Sequence, residues 1–391
     1  MKIESYKTEK LKVEKDLNEM TKKSDLISWI RVALFILIMG LLSYGYFKKI
    51  NIFYAFVAVL TIIFFVIVKL HSDIELKIKY KKSKIQVYQK YIKRLNGTWY
   101  DFKDKGTEYL DENMPYLKDL DIFGEGSLYQ YICSANTIYG KKSLVKHLKQ
   151  NDYNLDYIIK HQEAVKELSN MQDFANEIET LSYLTKENKK KNINKEIKKF
   201  IEVCEDKTPN QVKLNKILMI VLPAILIAVL ALCLIGINRA FYFNVLKVVI
   251  IINLLLAFLN MQKSTSILLP IGDFYKNIKV YENIFKEIDK QDFESSYLKE
   301  LKEGLNKDGG SLKAIKELKK IGSYIDLRQN FVANIILNAI VLWDFYCIDM
   351  FDKWKKSYGR NIRTYLEIVG EIEALISLAS ITYVRDDYTF A

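Results

Sequence analysis

Apolar and polar positions are sharply segregated along this chain. Val32–Phe47 (VALFILIMGLLSYGYF) carries no charge, follows the apolar Leu26–Ile30 with only Arg31 between them, and is ended by Lys48 and Lys49. Ile50–Val68 comes directly after and is again uncharged. Each run approaches the roughly 20 residues needed to cross about 30 Å of hydrocarbon. Together they predict a transmembrane hairpin. A cleaved leader is not expected, because a charged segment precedes the first run and a second run follows it immediately. A second pair lies downstream: Ile217–Ile237, with Pro223 tolerated as a kink, and Ala240–Leu259 after Asn238 and Arg239. Lys247 in the last of these should cost about 2.5–3.5 kcal/mol at mid-bilayer unless it snorkels or faces a partner helix.

Helical spacing of apolar residues recurs between and after the hairpins. It predicts a helix through Leu128–Leu148, another over Tyr157–Asn170 with Asp156 as N-cap, and a charged helix over Lys186–Val203. Val280–Leu301 also reads as helical, followed by a turn at Asp308-Gly309-Gly310-Ser311 and a restart over Leu312–Leu318. Phe331–Phe351 differs from the membrane runs. Asn330, Asn334 and Asn338 recur every fourth residue, a polar stripe that predicts a buried soluble helix. Trp354–Gly359 reads as a surface turn and Tyr365–Ala379 as the last apolar helix.

Composition narrows the class. With 391 residues, 4 Pro and 15 Gly, the chain has room for two or three folding units and few helix breakers, so an all-α fold is expected. Lys and Arg exceed Asp and Glu by 59 to 47, a net charge of +12. Part of the excess sits in Lys69–Lys105, where 11 basic residues meet 4 acidic ones directly after a predicted span. By the positive-inside rule that face is cytoplasmic, and two tight hairpins place residues 1–25, 70–216 and 260–391 on it. Lys77, Lys79, Lys81, Lys82 and Lys84, with Lys189, Lys190 and Lys191 further on, are the candidate contacts to lipid headgroups or nucleic-acid phosphates. Cys133, Cys204, Cys233 and Cys347 form no C-x-x-C pair, which fits a reducing compartment. His71, His147 and His161 are too few and too scattered for a metal cluster; His147 and His161 read as helix-surface residues. No nucleotide-binding loop is present, since Gly140-Lys141-Lys142-Ser143 imitates only its end.

The stretch Arg94–Leu181 carries a resemblance. Arg94-Leu95-Asn96-Gly97, Trp99, Asp119-Leu120-Asp121-Ile122-Phe123-Gly124, Ser127-Leu128, Thr137, Gly140, Leu144 and His161-Gln162-Glu163-Ala164-Val165-Lys166-Glu167-Leu168 occur in order. They resemble the core domain of the MutS family of DNA mismatch-repair ATPases, and in particular its membrane-embedded bacterial relatives. His161 stands where the family motif has Arg. Asn338, Trp343-Asp344, Trp354, Ile372-Glu373-Ala374-Leu375 and Ser377-Leu378-Ala379 look like the family helix that returns through the core. The resemblance implies that the second hairpin interrupts the lever helices in place of a DNA clamp. It also implies an ATPase domain, with ATP and Mg, after Tyr383–Ala391; that domain is missing from this chain, which is then a fragment or a truncated product.

The resulting expectation is an all-α polytopic membrane protein with a MutS-like helical core and lever domain. Its parts are a cytoplasmic N-terminal segment (1–25), hairpin 1 (26–69), the first part of core and lever (70–216), hairpin 2 (217–259), and the lever return and core (260–391). It sits in a bacterial-type inner membrane with cytoplasmic soluble parts. It holds no cofactor and catalyses nothing, but transmits nucleotide-driven motion from an ATPase domain in cis or trans, with DNA as a candidate partner and a homodimer implied by the resemblance. The competing expectation is a membrane scaffold or signalling protein that reuses the core without ATP or DNA. A transporter is a weaker third reading, because Lys247 is the sole charge within the spans. The structural bets are Leu128, Leu144, Val165, Leu168 and Ile372–Leu378.

Overall fold

The computed structural model describes residues 2–48, 52–111, 113–149, 154–185, 193–206, 208, 213–236 and 238–390. Among them every regular element is helical. The chain divides into two compact units. One comprises Met1–Ser134, Leu168–Leu184 and Ile376–Ala391; the other comprises Ala135–Glu167 and Thr185–Leu375.

The first unit is built on two long helices, Lys2–Lys48 and Ile52–Leu95. At ~1.5 Å per residue they run about 70 and 66 Å, twice what a bilayer requires. The expected boundaries at 25/26 and 69/70 therefore fall inside continuous helices. Where both sequences are apolar the side chains face outward: only 6% of the most apolar 18-residue window of either helix is buried. Where they become polar, the helices pack on each other. Tyr6 stacks on Tyr91 at 5.1 Å, Lys10 Nζ donates to Gln89 at 2.6 Å, and Lys81 pairs with Asp16 at 2.8 Å. Gln172–Tyr183 lies against the second helix, where its buried Glu179 accepts from Lys90 at 2.8 Å and from the Tyr91 hydroxyl at 3.0 Å. Burial pushes the Tyr91 hydroxyl far above its usual range, so it stays a donor.

Arg31, the one charge interrupting the first apolar run, is also accounted for in this unit. Its guanidinium donates to His71 Nδ1 at 3.0 Å, which leaves the other ring nitrogen facing Ser28 at 2.9 Å and Ser24 at 3.2 Å. That bond spends one donor of the guanidinium inside the helix pair, while the buried Arg31 Nε has no hydrogen-bond partner among the described residues.

The second unit carries the other hairpin, Lys213–Ile235 and Arg239–Leu259, whose most apolar windows are 17% and 11% buried. Lys247 is exposed and places its ammonium 4.7 Å from the Phe243 ring, reaching back toward the turn at Asn238. A reach toward the helix end is what snorkelling requires of a lysine in an apolar segment. Asn253, fully buried, donates to the Ala339 carbonyl at 2.7 Å and joins this hairpin to Phe331–Val341.

The asparagine stripe behaves differently from the expectation of one buried soluble helix. Phe331–Val341 and Trp343–Tyr358 are two helices bent by 83° at Leu342, whose φ is +53°. Phe331, Val332 and Ile336 point outward, whereas Asn338 turns in. Its side chain accepts from Asp344 N at 3.1 Å and donates to Asn334 at 2.8 Å, supplying partners that the broken helix withdraws. Arg328 clasps both Asp344 carboxylate oxygens at 3.1 Å. The stripe is the stitching of an elbow. Eleven residues of helix reach only about 16 Å, half of a hydrocarbon core.

Other expected elements shift for local reasons. The single helix over Leu128–Leu148 is Leu128–Ile132 and Ile138–Lys149, because the intervening amides bond to distant side chains. Asn154, rather than Asp156, accepts from Tyr157 N and caps Leu155–Ser169. Val280–Leu301 is Ile278–Asp289 and Ser296–Asn306, the second capped by Ser295. The predicted turn at Trp354–Gly359 is helical to Tyr358, and Trp354 is buried with its ring N–H on the Ala314 carbonyl. Gly309 and Gly310, with φ of +93° and +81°, make the predicted turn.

Candidate functional site

The basic run lies on Ile52–Leu95, beyond its apolar half. Lys77, Lys79 and Lys82 are exposed. Lys81 and Lys84 are not available in the same way: Lys81 is paired with Asp16, and Lys84 lies 3.9 Å from Glu177 and over the Tyr88 ring. The five lysines thus do not form one uncompensated face. Lys189, Lys190 and Lys191 lie outside the described residues. A broad open groove of about 1310 Å³ in the second unit is lined by Lys195, Lys199, Glu196, Glu202 and Asp206 among others. Its charges are mixed, so it does not select an anion.

The residues of the resembled motifs gather at two places. Within the first unit, Ser134 N donates to Ser377 Oγ at 3.0 Å, Ser380 Oγ reaches the Ile132 carbonyl at 3.2 Å, and buried Arg94 points at the Cys133 carbonyl at 3.4 Å. Within the second, Glu373 is buried and accepts from Asn136 N at 2.9 Å, from Thr137 N at 3.3 Å and from the Thr137 hydroxyl. Thr137 Oγ1 in turn accepts from Gly140 N. The Gly140 and Lys141 amides, where the sequence imitates the end of a phosphate cradle, are therefore already met by the Thr137 hydroxyl and carbonyl, and the loop before them by Glu373. Gly370 completes the close approach, since a Cβ there would meet the Tyr139 backbone at 2.5 Å. Of the packing bets, Leu144, Leu168 and Ile372 are fully buried and Val165 is half-buried. Leu128 is exposed, its place in the core being taken by Tyr129 and Ile132.

The most concentrated chemistry lies close to Glu373 and corrects the reading of the histidines. Sequence places His147 and His161 apart on separate helices; the fold brings both to Glu371, 224 residues from His147. His147 Nε2 is 2.7 Å from Glu371 Oε1, and His161 Nε2 is 3.5 Å from the same oxygen. Tyr297 Oη donates to Oε1 at 3.0 Å and Ser143 Oγ donates to Oε2. Burial alone would raise the Glu371 carboxyl. The proximity of His147, His161 and Ser143 outweighs it and holds the group far below the usual carboxylate range. Tyr297 moves the opposite way, raised by burial and by the adjacent carboxylate, and so remains a phenol.

The ring orientations are fixed from outside. His161 Nδ1 donates to the Tyr157 carbonyl at 2.7 Å, and its ring lies between Tyr157 and Tyr297, with centroids 3.7 and 4.1 Å away. His147 Nδ1 is 3.5 Å from the Tyr157 hydroxyl. The ligand atoms of His147, His161 and Glu371 all lie within 4.8 Å of one another. No spacing rule finds this group, because its members come from three helices. The usable signal was a histidine in the position where the resembled motif has arginine.

Comparison of the chain with protein-family models, curated proteins and solved structures finds no match. The resemblance to the MutS core rests on the motifs themselves.

Proposed function

We propose that this chain is a membrane-anchored mechanical element, the core and lever part of a MutS-like protein. In this reading it catalyses nothing itself and passes motion between its hairpins and an ATPase domain, supplied in cis or in trans, that binds ATP and Mg. The observation that carries the membrane half is the outward orientation of the apolar segments. Phe47 and Phe65 are 80% and 65% exposed although each touches an adjacent ring, Tyr46 and Phe64, so most of their surface is left uncovered. Each large apolar side chain left in water forgoes about 1.5–3 kcal/mol, so lipid is the fitting solvent. Support for the mechanical half comes from the absence of a break where Lys2–Lys48 and Ile52–Leu95 pass from apolar to polar sequence. A rigid-body movement of one end is carried to the other. The basic excess after Val68 supports a cytoplasmic side for the polar ends, at an inner membrane in this reading.

Fractionation tests the anchor: the chain is expected in the membrane pellet after an alkaline wash and in solution only with detergent, and recovery in the aqueous fraction overturns it. A cysteine at Asn238 is expected to react from the face opposite the polar segments. The scaffold reading, without nucleotide or DNA, draws support from the pairing of Lys81 and Lys84. With two of five lysines already facing carboxylates, few counterions remain to be released by phosphates. Titration of duplex DNA against the detergent-solubilised chain separates the two. A steep loss of affinity with salt supports phosphate contact, and no binding at low salt supports the scaffold.

A further inference from the structure

We propose that His147, His161 and Glu371 form a binding site for one divalent transition-metal ion, Zn²⁺ by the chemistry of its donors. Two imidazoles and one carboxylate suit zinc better than magnesium or calcium, which favour oxygen shells. A tetrahedral ion with bonds of ~2.0–2.1 Å places its donor atoms about 3.3 Å apart. The 3.5 Å between His161 Nε2 and Glu371 Oε1 already meets that spacing, and the 2.7 Å from His147 Nε2 needs a small opening.

His161 supplies the decisive observation. Its Nδ1 hydrogen is committed to the Tyr157 carbonyl, so in the neutral ring Nε2 carries a lone pair. That atom is buried, makes no hydrogen bond, and faces a carboxylate oxygen, which is also an acceptor. Two acceptors turned toward each other in a buried site are reconciled by a proton on the ring or by a cation between them, and a metal ion does so for His147 and His161 together. The surroundings are those of a ligand set held from outside. A backbone carbonyl orients His161, the Tyr157 hydroxyl approaches His147 Nδ1, and Tyr297 and Ser143 fix the carboxylate. Three protein ligands leave a fourth position for water. The ion would bolt together Ile138–Lys149, Leu155–Ser169 and Ile362–Val384, the last of which also carries Glu373. The site stands independently of any ATPase or DNA partner.

The test uses the full chain in detergent, stripped with a chelator and dialysed against micromolar Zn²⁺. Elemental analysis is expected to find about one zinc per chain, and Co²⁺ in its place is expected to give the visible absorption of a tetrahedral nitrogen and oxygen site. His147→Gln, His161→Gln and Glu371→Gln should each weaken binding at least tenfold and abolish the rise in melting temperature that zinc gives the parent. Tyr297→Phe, which removes a donor but no ligand, should keep the stoichiometry. Should Glu371→Gln fail to fold, His161→Gln carries the test, because His161 Nε2 makes no hydrogen bond whose loss could unfold the metal-free chain. A parent chain that stays metal-free, or variants that bind as the parent does, overturn the proposal.

Discussion

The two hairpins begin from nearly the same sequence signal and are built in opposite ways. The first consists of helices of 47 and 44 residues that run unbroken from apolar to polar sequence. The second consists of helices of 23 and 21 residues that pack beside a short helix ending in an 83° elbow. The first is held at its polar end by side-chain contacts between two unbroken helices, from the buried stack of Tyr6 on Tyr91 to the surface pair of Lys81 with Asp16. The second is held through buried Asn253, Asn338 and Asp344, the last clasped by the part-exposed Arg328. The difference teaches what apolar length leaves open. A uniform helix needs no internal polar partner, whereas a break exposes backbone groups that must be met by specific side chains. The first construction suits transmission of movement, and the second suits bending at one place.

Substitutions can break the contrast. Asp344→Ala is expected to have the largest effect, about 3–4 kcal/mol, because it removes a buried carboxylate that pairs with part-exposed Arg328 and accepts from Asn338. Thermal unfolding in detergent would measure it, and hydrogen exchange should localise the loss to Phe331–Tyr358. Ile78→Pro attacks the other construction by interrupting a continuous helix at a buried position, at a cost of about 3 kcal/mol. A helix that tolerated it without loss of stability would not be a rigid lever.

Acid should separate the regions next. Glu371 and Glu282 both have depressed carboxyls: burial opposes the shift in each, but His147, His161 and Ser143 around Glu371, and Lys286 and Lys319 around Glu282, outweigh it. A depressed folded value means stabilisation that is fully present above the unfolded value of about 4.3 and is lost as pH falls through the folded one. Hydrogen exchange in Ile278–Asp289 and Ile362–Val384 is therefore expected to accelerate below about pH 4, and Glu282→Gln should flatten that dependence in the former. Asn253→Leu removes a single interhelical hydrogen bond and should cost about 1 kcal/mol. Asp16→Ala sharpens the comparison from the weak side, since its exposed pair with Lys81 should leave the melting temperature unchanged.

The helical class, the four apolar runs and their approximate ends were legible because charge-free length and helical spacing are local properties. The Gly309-Gly310 turn and the burial of Leu144, Leu168 and Ile372 belong to the same kind. The break after Ile132 was not legible. Cys133–Thr137 has the weak propensity of many helix interiors, and the break is fixed by Ser377 and Glu373, more than 230 residues away, which take the Ser134 and Asn136 amides. The asparagine stripe was visible in spacing but not in meaning, because a side chain that solvates a helix and one that stitches an elbow recur at the same interval.

The candidate site divides along the same line. The lysine run could be read directly from the chain, yet which of its charges face acids depended on Asp16 and Glu177, brought in from other helices. His147 and His161 were visible only as isolated letters, and Glu371 as one acid among many. Sequence by itself determined which segments are helical and which faces seek an apolar solvent, because those preferences are settled within a few turns of chain. Tertiary structure alone decided which buried polar atoms meet and where the helices bend, because a lone pair or an amide taken out of water must find its partner in space, wherever that partner lies in the chain.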